Sequence, residues 1–473
     1  MFQTAVNICE FEVPWGNVLM GMPVHLEEYL RRDTIFAPAS GAGRAAIAVV
    51  RISGPAVAAA LQAMGVGEIL PERVATLRTL RDPQTREALD RALVLRFCAP
   101  RSFTGEQMAE LHLSGGHAVL AGIISALGKV PGLRLAEPGE FAWRAFENGK
   151  LDLSEVEGLA DLVAAETAVQ RRQALRIAGG TLSREADRVR ALLLNALSAI
   201  EAQIDFSDIE EVNSLSLTDA RDLARQALQR VRSILAASQM GERLRDGVNV
   251  VIAGPPNIGK STLINAISKK EVSIVASTPG TTRDIIELSL DLNGYPVTLV
   301  DTAGIRDTND PVELEGVNRA RRRLRDADLT LWLVECATVL TRVPDVAGAM
   351  ILVKTKSDQV PVAVDVDLPG AVSSLRISAK TGDGIIRLLD EIGGFVSRRF
   401  DGSALALITT ERHKTAFSAA ETALARLLDA ELDAPELIAE ELRLAARAME
   451  RIAGRIDVQD VLGAIFSRLC VGK

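Results

Sequence analysis

The stretch Val248-Asn-Val-Val-Ile-Ala-Gly254-Pro-Pro-Asn257-Ile258-Gly259-Lys260-Ser261-Thr262 constrains the fold of this chain more than any other. An apolar, β-branched run feeds into G-x-x-x-x-G-K-S, and an amphipathic segment, Leu263–Ile267, follows it. The order strand, glycine-rich loop, helix makes the pattern a phosphate-binding loop rather than a chance turn. Gly254 and Gly259 let backbone N–H groups turn inward, and the helix N-terminus adds its positive dipole end. Lys260 can reach the β- and γ-phosphates, and the Ser261 hydroxyl can bind Mg²⁺.

The chain has 473 residues, room for about three domains. Ala, Leu, Glu and Arg dominate both ends and favour helices. The formal charge is −8, from 54 basic and 62 acidic residues, so any nucleic-acid contact needs a local patch or a partner. Cys9, Cys98, Cys336 and Cys470 lack C-x-x-C spacing, which argues against a disulfide framework or a zinc site. No apolar run approaches the roughly eighteen residues of a membrane span. The first thirty residues carry Glu10, Glu12, Glu27 and Glu28 and no signal-type apolar core. A cytoplasmic, reducing setting without membrane contact is therefore expected, with Met20 or Met22 as alternative starts.

Periodicity divides the chain into 33–138, 139–245, 246–400 and 401–473. In the first segment Ala46–Ile52 and Arg91–Phe97 read as strands and Ala118–Leu127 as a helix. Gly41-Ala-Gly43-Arg-Ala-Ala46 imitates a dinucleotide fingerprint, but a strand rather than a helix follows, so that reading is rejected. The second segment is helical almost throughout, with Leu192, Leu193, Ala196, Leu197, Ile200 and Ile204 as one core stripe. In the third, strands Val248–Ala253, Val297–Val300, Leu329–Val334, Ile351–Lys354 and Leu375–Ser378 alternate with helices. That is a doubly wound α/β pattern with its ligand at the carboxyl ends of the strands. The last segment returns to helix, so the simplest arrangement is one helical domain built from both flanks with the α/β domain inserted.

Four motifs fall at strand ends in the order a GTPase requires. Thr281-Thr282-Arg-Asp284 can place Thr282 on Mg²⁺, and Asp301-Thr302-Ala303-Gly304 brings a carboxylate to the Mg²⁺ shell and an N–H to the γ-phosphate. In Thr355-Lys356-Ser-Asp358 the Asp358 carboxylate can accept from both N–H groups of guanine, and Ser378-Ala379-Lys380 can close over the base. Thr355 stands where the guanine motif usually has Asn, which predicts weaker base binding without altered specificity. Ile305 follows Gly304, so the usual water-orienting Gln is absent. Asp307, Asp310, Glu313 and Glu315 are open candidates for that task. Asn257 can hold a monovalent cation against the phosphates or make an ordinary loop hydrogen bond.

With Val272-Ser-Ile-Val-Ala276-Ser277-Thr278-Pro279-Gly280-Thr281-Thr282-Arg-Asp284, the inserted α/β segment and the Cys470-Val-Gly-Lys473 motif, the chain resembles the MnmE (TrmE) family of tRNA-modifying GTPases. The likeness runs from about Asp33 to Lys473 and takes in Ser102-Phe-Thr-Gly-Glu106, Pro138-Gly-Glu-Phe141, Asn148-Gly-Lys-Leu-Asp-Leu153, Ile204-Asp-Phe206 and Glu440-Glu-Leu-Arg443. It implies an N-terminal α+β domain that binds tetrahydrofolate and dimerises, a helical domain in two parts, and a P-loop GTPase domain between them. It further implies a homodimer working with the FAD- and NADH-using protein MnmG, as a heterotetramer, to add a carboxymethylaminomethyl or aminomethyl group at carbon-5 of a tRNA wobble uridine.

Residue by residue, the resemblance makes Glu313 the group that orients the hydrolytic water and Cys470 a thiol needed for modification. Ser261 and Thr282 become Mg²⁺ ligands. Asn257, the backbone of Ala276 and Thr278, and Thr281 become the K⁺ site, and the whole segment Ala276–Thr282 borders GTP. Arg51, Glu110, Lys150 and Lys473 become the pocket for 5,10-methylenetetrahydrofolate or 5-formyltetrahydrofolate, with Arg and Lys meeting carboxylates and Glu the pterin edge. The chain departs from the family at Ser114, where His is common, and at Ala276, where a polar residue is usual. His25, His112, His117 and His413 receive no catalytic role, and Arg319-Ala-Arg-Arg-Arg-Leu-Arg325 reads as a solvated helix face. A rival reading is a regulatory GTPase that binds ribosomal RNA. It requires a basic RNA-binding module outside the α/β domain, which the acidic balance disfavours. A folate-binding scaffold with a vestigial nucleotide site is opposed by intact Lys260, Ser261, Thr282 and Asp301.

Overall fold

The computed structural model describes residues 33–41, 43–67, 70–205, 210–269, 274–276, 287–301, 327–336, 348–360, 371–400, 406–429, 434–454 and 472. It forms two compact units, Met1–Leu151 with Asp460–Lys473, and Asp152–Gln459. The first holds a six-stranded sheet of β1 (Thr34–Pro38), β2 (Ile47–Ser53), β3 (Thr76–Arg81), β4 (Ala88–Phe97), β5 (Met108–Ser114) and β6 (Leu133–Leu135), in the order β3-β4-β5-β2-β1-β6. Its pairs are antiparallel except β1 with β6. The stretch after Gly43 enters β2, so the dinucleotide reading stays rejected.

Alternation sorts this sheet into two faces. Val50, Ile52, Ala92, Val94, Ala109 and Leu111 share a core with helices α1 (Val57–Ala63) and α2 (His117–Gly128). Ala37, Arg51 and Glu110 lie side by side across β1, β2 and β5 on the other face. Helix α3 (Glu140–Glu147) covers part of that face, where Phe141 is fully buried with Ile35, Ala37 and Ala136. The unit thus takes in residues 139–151, which the apolar spacing had joined to the helical segment.

The second unit opens with α4 (Leu153–Ala164) and α5 (Ala168–Ala178). Each starts at a capping box: Asp152 with Glu155, and Thr167 with Gln170. Helices α6 (Thr181–Asp205), α7 (Glu210–Ala236) and α8 (Ser238–Asp246) follow. A seven-stranded sheet comes next, of β7 (Val248–Ala253), β8 (Ile274–Ala276), β9 (Glu287–Leu292), β10 (Tyr295–Asp301), β11 (Leu329–Glu335), β12 (Ala349–Thr355) and β13 (Ser373–Arg376). Its order is β13-β12-β11-β7-β10-β9-β8, parallel from β13 to β10 and antiparallel in β9 and β8. Helices α9 (Lys260–Ser268) and α10 (Ile385–Phe400) pack on it, and α11 (Glu411–Asp429) and α12 (Pro435–Ala453) complete the chain's described helices.

One hydrophobic core joins α6 and α7 to α11 and α12, so residues on both sides of the sheet segment build it. The expected stripe is there: Leu193, Ala196 and Ile200 are fully buried, and Leu192, Leu197 and Ile204 pack at the edge. The last strand ends at Arg376 rather than Ser378. Ser378 instead donates its N–H to the Asp383 carbonyl and turns into the following loop.

Where α4 meets α11, Glu157 is buried between Arg412 and His413. Arg412 Nε and Nη2 donate to its two oxygens at 3.0 and 2.6 Å, and His413 Nε2 lies 2.6 Å from Oε2. Burial alone would push this carboxyl up, but His413 and Arg412 outweigh it and hold the group at about 2 against an ordinary 4.5. Its stabilisation is therefore complete above pH 4.5 and fades as pH falls toward 2. Glu157→Gln should cost about 3 kcal/mol at neutral pH by removing the carboxylate that the Arg412 guanidinium pairs with. The gap in thermal midpoint between wild type and variant, followed by circular dichroism, should narrow below pH 4.5; a gap independent of pH would overturn this account.

Candidate functional site

Strand β7 is buried along its length except at Asn249, and delivers the chain to Gly254 at the carboxyl edge of the sheet. Gly254 has φ +146°, and a Cβ there would lie 2.6 Å from the Leu333 carbonyl, so the loop can pass β11 only with glycine. Asn257 is exposed at φ 61°, a left-handed conformation that Asn tolerates. Gly259, at φ +101°, sets up α9, which begins at Lys260. Ile258 is buried beneath the loop, while Thr262 is exposed.

The buried Lys260 side chain folds back over the loop, its Nζ donating to the Gly254 and Pro255 carbonyls at 2.9 and 3.0 Å. Parallel pairing of β10 with β7 sets Asp301 opposite Ile252, so the last residue of β10 emerges beside the first turn of α9. There the Ser261 hydroxyl donates to Asp301 Oδ2 at 2.8 Å. The Asp301 carboxylate is almost fully buried. A hydroxyl and a carboxylate on one spot form a hard, all-oxygen donor pair of the kind Mg²⁺ takes alongside phosphate and water.

On the other side of β7, Thr355 ends β12 in a buried position. Its hydroxyl hydrogen is shared between the Ile258 and Val334 carbonyls, at 3.2 and 3.1 Å. Thr355 therefore ties the base-recognition motif to the phosphate loop. Lys356 follows at φ 59° and pairs with Glu335. Asp358 lies in a short 3-10 turn, where its Oδ1 accepts from Ser378 Oγ at 2.8 Å. That bond joins the Thr355–Asp358 motif to the Ser378-Ala379-Lys380 loop, with Ser378 itself buried. Thr281, Thr282, Thr302, Ala303, Gly304, Glu313 and Ser277–Gly280 lie outside the described residues, and of Ala276 only its place in β8 is described.

In the first unit, Arg51 and Glu110 meet as cross-strand neighbours, with Nε and Nη2 donating to Glu110 Oε1 at 3.2 and 3.0 Å. Arg51 Nη1 donates to the Gly472 carbonyl at 3.3 Å, which brings Gly472 to this site. The guanidinium carbon sits 5.0 Å from the Phe103 ring centre and 5.8 Å from that of Phe141. Lys150 is exposed and flanks Gly105, in the same loop as Phe103. Cys470 and Lys473 are outside the described residues.

Sequence reasoning missed Phe103, Phe141 and Gly472 as members of this site. The motifs Ser102–Glu106 and Pro138–Phe141 were visible, but nothing local says that their aromatic rings flank Arg51. It also assigned His112 no role, whereas His112 Nε2 lies 3.5 Å from Glu110 Oε2.

Two family models cover nearly the whole chain: the MnmE helical domain over residues 153–470, and the GTP-binding protein TrmE N-terminus over residues 34–150. Curated relatives agree. A protein named tRNA modification GTPase MnmE from Beijerinckia indica is 47% identical, over 95% of this chain and 98% of its own length. Proteins of the same name from Bradyrhizobium and Methylobacterium species are each 49% identical, over 93% of this chain and 99% and 100% of theirs. With relatives this similar over nearly their full lengths, the chain belongs to the MnmE (TrmE) family of tRNA modification GTPases.

Proposed function

We propose that the chain is a potassium-dependent GTP hydrolase in tRNA modification. Acting as a homodimer with an MnmG-type FAD/NADH protein, it would add a carboxymethylaminomethyl or aminomethyl group to carbon-5 of the wobble uridine. The observation that carries the hydrolytic half is the 2.8 Å contact of Ser261 with Asp301 beneath a loop closed by Lys260. Mg²⁺ held there with Thr282 would screen the phosphate charge. Lys260 offsets charge on the β- and γ-phosphates, and backbone N–H groups at the start of α9 orient them. Asp358, steadied by Ser378, presents a carboxylate to the two N–H donors of guanine.

Glu313 is assigned to orient the attacking water, on family resemblance. Asn257, Ala276, Thr278 and Thr281 are assigned to K⁺, and the exposed Asn257 fits that task as a neutral oxygen donor in the loop. The modification half uses the Arg51 and Glu110 site, with Lys150 and Lys473, to hold a tetrahydrofolate that supplies the one-carbon unit. Glu110 is suited to a pterin edge, which offers paired N–H donors.

Base choice gives the first test. Asp358→Asn should weaken GTP binding by about tenfold to a hundredfold, the usual cost of losing hydrogen bonds to a charged acceptor, and should improve binding of xanthosine triphosphate. Equal ATP and GTP binding by the unmutated protein, measured by fluorescent-nucleotide competition, would rule out the base assignment.

Hydrolysis at constant Mg²⁺ should be clearly faster in potassium than in sodium. The smaller Na⁺ would need the loop oxygens drawn in closer than a K⁺ cage holds them. Identical rates in the two salts would remove the K⁺ site from the mechanism.

Glu313→Ala should leave GTP affinity nearly unchanged while slowing hydrolysis by roughly a hundredfold or more. Cys470→Ser should keep hydrolysis and abolish wobble-uridine modification, read by nucleoside analysis of tRNA from complemented deletion strains. Loss of hydrolysis in Cys470→Ser, or normal modification, would contradict this division of labour.

A further inference from the structure

The base-recognition motif turns its hydroxyls inward. Thr355 is buried, and its hydroxyl faces two carbonyls, those of Ile258 in the phosphate loop and Val334 on β11. A threonine hydroxyl has a single hydrogen, so nothing is left to donate elsewhere. Nor is the side chain free to turn. A β-branched residue is stiff about χ1, and the backbone on both sides is pinned. The Cys336 N–H donates to the Thr355 carbonyl at 3.0 Å, and the Ser357 N–H to the Ile377 carbonyl at 3.1 Å. Neighbouring side chains are engaged as well. Ser378 gives its hydroxyl hydrogen to Asp358 Oδ1 and accepts from the Thr381 N–H at 3.2 Å, while the Lys356 ammonium pairs with Glu335.

Guanine offers donors on its Watson–Crick edge and acceptors at O6 and N7. The Asp358 carboxylate accepts only, so it serves the donors. Asn, the usual residue in place of Thr355, carries two N–H donors: one can hold a loop carbonyl while the other reaches the base. Thr355 can do only the first. We propose that Thr355 leaves N7 of the guanine unread. Its hydroxyl is a strut under the phosphate loop, and recognition rests on Asp358 at the Watson–Crick edge with no hydrogen bond from the motif to N7. Adenine carries the same N7 acceptor, so forgoing it lowers affinity without admitting the wrong base. The site therefore tolerates guanine nucleotides altered at that ring position. This deepens the base assignment made above and rests on it.

The test compares GDP with 7-deaza-GDP, which replaces N7 by C–H and keeps every Watson–Crick group. Each competes against a fluorescent GDP on the full-length protein at fixed Mg²⁺. Wild type should bind the two alike, whereas a neutral hydrogen bond to N7 would weaken 7-deaza-GDP by about threefold to tenfold. Thr355→Asn restores the second donor and should create a preference for GDP of about that size. Thr355→Val keeps the shape but removes the strut, and should weaken both nucleotides by the same factor. A wild-type preference for GDP of about threefold or more would overturn the proposal, and that comparison needs no variant to fold. So would a Thr355→Val protein that loses affinity for GDP but not for 7-deaza-GDP, or a folded Thr355→Asn protein that binds both alike. Equal binding of ADP and GDP by wild type would instead sink the Asp358 assignment.

Discussion

The parallel pairing of β10 with β7 is the constraint on which the nucleotide site depends. It puts Asp301 level with Ile252, two residues before Gly254, and so within 2.8 Å of Ser261 on the first turn of α9. Side chains alternate along a strand, so a slip of one residue would turn the Asp301 carboxylate to the opposite face and bury it among apolar groups. What prevents the slip is the core: Val297 and Leu299 on β10 and Val248, Val250 and Ile252 on β7 are all buried in one cluster. The site's electrostatics are thus specified by hydrophobic registry a few residues upstream.

The same sheet is fastened to the helices where the chain enters and leaves it. Gln173 on α5 donates to the Gly241 and Ala406 carbonyls, one on each crossing, at 3.4 and 3.3 Å. A Cβ on Gly241 would lie 2.1 Å from the Ile408 carbonyl, so the two crossings touch through backbone. Arg245, three residues before β7, donates to Asp161 at 2.8 Å and to the Thr409 carbonyl at 3.4 Å. Burial pushes the Asp161 carboxyl up, and Arg245 opposes that shift. Helices α4, α5 and α8 and the segment 406–409 thus share one set of polar contacts just upstream of β7.

What was legible in the sequence was local chemistry. The phosphate loop is a run of residues whose glycines, lysine and hydroxyl act where they stand, and each of the five expected strands around it formed. The stripe Leu193, Ala196 and Ile200 was legible for the same reason, since a helix face is written within a few turns. Less legible were strands β1, β3, β5 and β6. On β5 the second face carries Glu110 and His112, and that polar face reads as a surface segment until its partner strand supplies Arg51. The end of β13 was misplaced because Ile377 and Ser378 are apolar and small enough to continue a strand; Ile377 does still donate its N–H to Lys354 on β12, but Ser378 turns to the Asp383 carbonyl in the loop.

The Arg51 site marks where sequence reading stops, since the contacts that define it span 59 and 421 residues of chain. Family resemblance gathered Arg51, Glu110 and Lys150 as a list of polar groups; the sheet turns that list into an order. Glu110 neutralises Arg51, Phe103 and Phe141 flank it, and Gly472 takes a remaining donor. A charge held by these partners loses little rotamer freedom when a further group docks on it. The chemistry of the site therefore depends on the neighbours that orient Arg51 as well as on its charge.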